Sequence, residues 1–197
     1  MVNKTCLDVN SLSNGTNEGE AYPKFWTAIL VQMNTEKSVS ERLNKIGVTN
    51  YVATQTQIHK WSDRRKRIDK VVIPMVVFVH IDKKTERFLR TLSFIYKFIS
   101  YPGAKEAAVI PDSQIDDLKF MLNNSENDVE IAPSVLTLGD KVEIVRGPLK
   151  GLAGELCYLI PEKPMVAIRI ESLGYACVNV SKADIEKVNI QYSSNNK

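Results

Sequence analysis

Between Leu138 and Leu156 the chain reads Leu-Gly-Asp-Lys-Val-Glu-Ile-Val-Arg-Gly-Pro-Leu-Lys-Gly-Leu-Ala-Gly-Glu-Leu. This order admits little besides strand, tight turn and strand. Val142 and Ile144 alternate with Lys141 and Glu143, the period of a strand with one buried face. Arg146-Gly147-Pro148 breaks that period. Gly147, Gly151 and Gly154 supply backbone freedom, and Pro148 fixes one φ angle. A second strand begins at Glu155-Leu156-Cys157-Tyr158.

Downstream, Met165 to Glu171 alternates again, with Val166, Ile168 and Ile170 inward and Arg169 and Glu171 outward. Cys177 to Val180 and Val188 to Ile190 read as two more strands, with a helical turn from Ser181 to Ile185 between them. Five short strands fit a small SH3-like β-barrel over residues 137–190, followed by a tail at 191–197. Upstream, residues 123–136 combine Asn, Ser, Pro133 and acidic residues with no Lys or Arg, the composition of a flexible linker. Residues 1–21 lack any hydrophobic period and are expected to be a disordered tail.

Residues 22–122 carry a mixed pattern. Trp26 to Met33 is a nearly continuous apolar run, suited to a central strand. Asn34 or Thr35 can cap a helix whose stripe is Val39, Leu43 and Ile46, ending at Gly47. Strands are expected at Tyr51 to His59, at Ile68 to Ile81 (with Pro74 at a bulge or edge) and at Ile95 to Tyr101. Helices are expected at Glu86 to Leu92, with Phe88, Leu89 and Leu92 apolar, and at Asp112 to Leu122. The order β-α-β-β-α-β-α contains the split βαβ of a ferredoxin-like sheet, so the fold class is α+β.

The net charge of +3 is uneven, with 18 Lys+Arg against 13 Asp+Glu over residues 1–122. That mild excess permits nucleic-acid contact without requiring it. Residues 137–197 hold eight basic and seven acidic residues, which disfavours RNA binding by that part alone. Cys6, Cys157 and Cys177 form no Cys-x-x-Cys pair, so reduced thiols are expected. The first twenty residues show no apolar signal core, and no apolar run reaches about 20 residues, so a cytoplasmic protein is expected. His59 and His80 are isolated, Asp116 and Asp117 diverge on a helix, and phosphate-binding glycine loops are absent. Neither catalysis, metal nor cofactor is therefore expected.

The stretch 138–156 resembles the KOW motif at Gly139, Asp140, Val142, Ile144, Gly147, Pro148, Gly151 and Gly154. Domain order, linker and KOW pattern together resemble the NusG family of transcription elongation factors. The resemblance covers residues 24–190, with Trp26-Thr27-Ala28 standing for the family's opening strand. Trp61-Ser62-Asp63-Arg64-Arg65-Lys66, Val77-Phe78-Val79-His80 and Gly174 to Val180 are similar to UpxY-type antiterminators of capsular polysaccharide operons. One departure stands out: the family's Phe-Pro-Gly-Tyr-Val is here Ile73-Pro74-Met75-Val76-Val77.

The resemblance implies an N-terminal NusG-type domain that grips the clamp helices of the largest RNA polymerase subunit. The residues it assigns to that face are Trp26, Ile73, Pro74, Met75, Val76, Phe98 and Ile99. It further implies a monomer whose KOW domain recruits a ribosomal protein or termination factor. Arg146, Leu149 and Lys150 in one turn and Leu173 and Tyr175 near another are its candidate contacts. Independently, Lys60, Arg64, Arg65, Lys66 and Arg67 form a basic loop that can neutralise phosphates, with Trp61 able to stack on a base. The resemblance implies that the nucleic acid is upstream or non-template DNA. The expected function is antitermination and processive elongation on a specific operon. The rivals are a general housekeeping elongation factor and a KOW-type RNA-binding ribosomal or assembly protein.

Overall fold

The computed structural model describes residues 23–60, 65–132, 138–160 and 163–188. Strand β1 (Phe25–Val31) is central in the first sheet, as its apolar run requires. It is followed by helix α1 (Glu36–Lys45) and strand β2 (Thr49–Tyr51). Strands β3 (Thr54–Lys60) and β4 (Arg65–Val71) form a hairpin of their own. Strand β5 (Val76–Ile81), helix α2 (Lys83–Leu89), strand β6 (Ile95–Phe98) and helix α3 (Asp112–Asn124) complete this half. The sheet order is β2-β5-β1-β6, antiparallel throughout, the arrangement of a split βαβ sheet.

Side-chain alternation sorts the two faces. Ile29, Val31, Val77, Val79 and Ile81 pack with Val39 and Leu43 of α1 and Leu89 of α2. Trp26, Ala28, Val76 and Phe78 pack with Ile115, Leu118, Met121 and Leu122 of α3. The α1 stripe is shorter than its sequence suggests, because Ile46 sits at the C-cap and is 47% exposed. Helix α2 starts earlier than expected, since Asp82 caps it by accepting from the Thr85 amide at 2.7 Å. Phe88 thereby turns outward. The expected strands 51–59 and 68–81 are each split, with Pro74 in the turn between β4 and β5.

The segment 123–136, expected as a linker, contains the end of α3 and strand β7 (Val129–Ala132). Strands β8 (Leu138–Ile144), β9 (Ala153–Ile160), β10 (Lys163–Ile170), β11 (Gly174–Asn179) and β12 (Ile185–Lys187) follow. They form one antiparallel sheet ordered β12-β8-β9-β10-β11-β7. A 3-10 turn, Lys182–Asp184, falls where the sequence suggests a helical turn, but β12 begins directly after it at Ile185, ahead of the strand expected at 188–190, of which residues 189 and 190 lie outside the described residues. The turn after β8 closes through Gly151 N to Ile144 O at 2.7 Å, with Gly147 at φ +80° and Gly151 at φ +90°. Gly154 serves another purpose, clearance. A Cβ there would lie 2.7 Å from both Ala167 O and Val166 Cγ1 across the β9–β10 pair.

Helix α3 is shared by the two halves. Its apolar residues belong to one continuous core with Val142, Ile168, Ile170 and Val178 of the second sheet. Gln114 Oε1 accepts from Glu171 N at 2.8 Å. Gln55 of β3 holds the chain after α3, donating to Asn127 O (2.8 Å) and accepting from Val129 N (3.1 Å).

Candidate partner and nucleic-acid surfaces

Trp26 lies on β1 opposite His80 of β5, and their rings stack at 5.0 Å. Lys119 of α3 sits 5.0 Å from the Trp26 ring and 5.6 Å from that of Tyr51, which stacks on Phe78. Trp26 is consequently buried at 8% exposure. Burial also pushes the Tyr51 hydroxyl up to about 12. Neither Tyr51 nor Lys119 carries a sequence signal for this cluster. It arises from strand register and the approach of α3.

Ile73 and Val76 are buried in the same core, whereas Pro74 is exposed and Met75 half-buried. Ile99 is half-buried, and its N–H donates to Ala28 O at 2.8 Å. Phe98 faces the α1–α2 side, buried beneath the Arg90 guanidinium at 4.6 Å. Of the seven residues assigned to the polymerase face, Trp26, Ile73 and Val76 therefore lie in one core and Phe98 in the other. Met75 lies beside Val31, its carbonyl accepting from Val31 N. Trp26 stands near the other end of β1, roughly 17 Å away at strand rise. Pro74, Met75 and Ile99 are the members that reach the surface.

Four members of the basic stretch lie in strands rather than in a loop. Lys60 ends β3, and Arg65, Lys66 and Arg67 begin β4, in register Lys60↔Arg65 and His59↔Lys66. Trp61 and Arg64 lie outside the described residues. The hairpin is tied to α1 at its base by Lys37 Nζ, which donates to Asp69 O at 2.8 Å. Asp69 also accepts from Thr56 Oγ1 at 2.8 Å.

In the second sheet Arg146 and Lys150 are exposed, but Leu149 is buried at 6%. Leu149 helps close the turn onto the core instead of presenting an apolar contact. Leu173 and Tyr175 are half-buried, Tyr175 in register with Ala132 of β7. Arg146 and Leu149 border a cleft of about 240 Å³ with Asn127, Asn179 and Asp184. Cys157 and Cys177 are free, buried thiols whose sulfurs lie 4.0 Å apart. The hydrogen bond between the two sulfurs raises Cys177 and lowers Cys157. Among the described residues, no group of three or more His, Cys, Asp or Glu is placed to hold a metal ion. No helix among them is long and apolar enough to cross a membrane.

Residues 24–119 match the family model described as NusG, transcription termination factor nusG. This part of the chain is a NusG-family domain. Similar solved structures include one described as "Domain interaction in Thermotoga maritima NusG". It is 19% identical, with a TM-score of 0.44, covering 84% of this chain and 97% of that one. A chain of the MjSpt4:Spt5 complex, conformation B, is 17% identical at a TM-score of 0.28, covering 83% of this chain and 96% of that one. No curated protein matches the chain. The NusG-family domain thus comprises both faces of the first sheet, the hairpin and most of α3.

Proposed function

We propose that the protein binds RNA polymerase and promotes processive, antiterminated elongation of a specific operon, such as one for capsular polysaccharide synthesis. The NusG-family match over residues 24–119 carries this reading. In it, the NusG-family domain needs only to favour the elongating polymerase conformation over the paused one by differential affinity. Pro74, Met75 and Ile99 provide its accessible apolar contacts. The hairpin segment 60–67 reaches nearby DNA through phosphate neutralisation. Residues 137–190 act as a KOW domain that brings a second protein to the complex at raised effective concentration.

Single-round transcription in vitro with the cognate polymerase tests this, on a long-leader template carrying a terminator and on unrelated templates. Read-through confined to the one leader supports operon specificity; read-through on every template favours a housekeeping factor. Replacing Arg65 and Arg67 by Ala is expected to lower upstream-DNA affinity and reduce the salt slope by about one unit per lost phosphate contact. An unchanged slope would remove the DNA role while leaving the polymerase role standing. No polymerase association and no read-through would reject the proposal.

A further inference from the structure

The NusG-family domain has a second concave surface, at the end of the first sheet where Trp26 stacks on His80 and toward the opposite end of β1 from Met75. Between the C-terminal end of α1 and helix α2 lies an open cleft of about 390 Å³, bordered by Lys24, Ile46, Thr49, His80, Lys84 and Phe88. Its apolar content is unusually accessible: Ile46 is 47% exposed and Phe88 51%. Both depart from their helix stripes for a local reason. Ile46 occupies the C-cap of α1, and the Asp82 cap sets the register of α2 so that Phe88 points out. Large exposed apolar side chains gathered around one cavity mark a contact surface rather than random exposure.

The charge around this cleft has one sign. Lys24 and Lys84 border it, Lys45 lies next to Ile46 in the last turn of α1, and among the described residues no carboxylate borders it. Lys24 and Lys84 form no ion pair among the described residues, whereas Lys83 and Arg90 are committed to Glu86 at 3.2 and 2.6 Å. Asp82 lies within the field of Lys24, but its carboxylate already accepts from the Thr85 amide. Two ammonium groups with no ion pair among the described residues, flanking the exposed Ile46 and Phe88, suit an apolar side chain between carboxylates. Two cations are too sparse for a phosphate track.

We propose that this cleft docks a short acidic segment of a partner protein, seating one large apolar side chain between Ile46 and Phe88. Carboxylates on either side of that anchor pair with Lys24 and Lys84. The anchor supplies affinity and the charges supply orientation and on-rate.

A library of random short peptides displayed on phage is selected on the full chain. It is counter-selected on a Lys24→Glu, Lys84→Glu, Phe88→Ser variant whose folding is verified by thermal melting. The expected enrichment is of peptides with one large apolar residue beside two or more acidic ones. A synthetic winner should shift amide NMR signals of residues 46–49 and 80–88. Its affinity should fall at least about tenfold with Phe88→Ser alone, and separately with the two lysine reversals. Enrichment that does not depend on the cleft, winners without acidic residues, or shifts mapping elsewhere would overturn the proposal. So would a single-stranded DNA oligonucleotide that saturates the same amides more tightly than the winning peptide. The test is independent of transcription, so its failure leaves the elongation reading untouched.

Discussion

The backbone N–H of Met75 donates to the buried Glu36 carboxylate at 2.7 Å, and Met75 holds φ at +65°. The same carboxylate accepts from Asn34 N at 3.2 Å, while Met75 O accepts from Val31 N at 2.8 Å. Residue 75 therefore adopts a left-handed turn although its side chain disfavours it. This is the position at which the resembling Phe-Pro-Gly-Tyr-Val pattern has glycine. The backbone shape suited to glycine is kept, and Glu36 holds it in place. Met75→Gly is expected to leave stability within about 1 kcal/mol, because relieved strain offsets lost side-chain contact and greater unfolded-state freedom. Met75→Val should cost about 1–2 kcal/mol more than Met75→Gly. Glu36→Ala should cost about 2–3 kcal/mol by stranding two N–H groups, and Glu36→Gln distinctly less. Urea unfolding of the four variants checks the ranking.

That turn illustrates what sequence patterning could and could not convey. The apolar run of β1, the strand-turn-strand of β8 and β9 and the face of α3 were legible because each is a local periodicity. Phe98 was not, because a single aromatic in a short strand gives no indication of which face holds it. Leu149 resembled an exposed turn residue, yet the closed turn directs it into the core. Residues 129–132 were unreadable as a strand because their partner is β11, more than 40 positions away, and four residues carry too little period. Gly154 was correctly singled out for the wrong reason, since clearance from Ala167 across a strand pair is invisible in one dimension.

Thr27 is fully buried on β1, and its hydroxyl has no hydrogen-bond partner among the described residues. The cluster on that face is apolar, so the oxygen loses water without compensation. Thr27→Val keeps the shape and removes the stranded hydroxyl. Stability should rise by about 1–2 kcal/mol, read as an increased midpoint at unchanged slope in urea.

Tyr51 gives an alkaline signature. Its folded-state pKa is raised from 10.0 to about 12 by burial. The folded form therefore holds its proton where the unfolded chain begins to release it. The associated stability is fully present below pH 10 and is lost as pH rises through about 12. Tyr51→Phe should flatten the fall in stability across that window, measured by denaturant titration at stepped alkaline pH. A fall of unchanged steepness would assign the alkaline loss to other groups.

Gly154 predicts intolerance to the smallest side chain. The atoms an added methyl would meet at 2.7 Å include a backbone carbonyl, which cannot rotate away. Gly154→Ala should cost about 2–3 kcal/mol by forcing β9 from β10. Amide exchange should accelerate first along that strand pair, with β1 and β5 retaining protection.

Gln55 joins the two halves through one side chain. It is 5% exposed, donates to Asn127 O and accepts from Val129 N. Beside it, Asn127 Nδ2 reaches Asn179 O at 2.9 Å, so the same segment fastens β11. Gln55→Leu leaves a donor and an acceptor without partners and should cost about 2–4 kcal/mol. The Val129 amide should lose exchange protection with it. Gln55→Glu is the sharper variant. As a carboxylate it still accepts from Val129 N but opposes the Asn127 carbonyl, whereas as a neutral acid it can donate to that carbonyl. Burial against an acceptor raises the folded-state pKa of the new acid, so this variant gains stability as pH falls and loses it as pH rises. A Gln55→Glu protein whose stability relative to wild type does not improve on acidification would show that the Gln55 amide does not bridge the two halves as described.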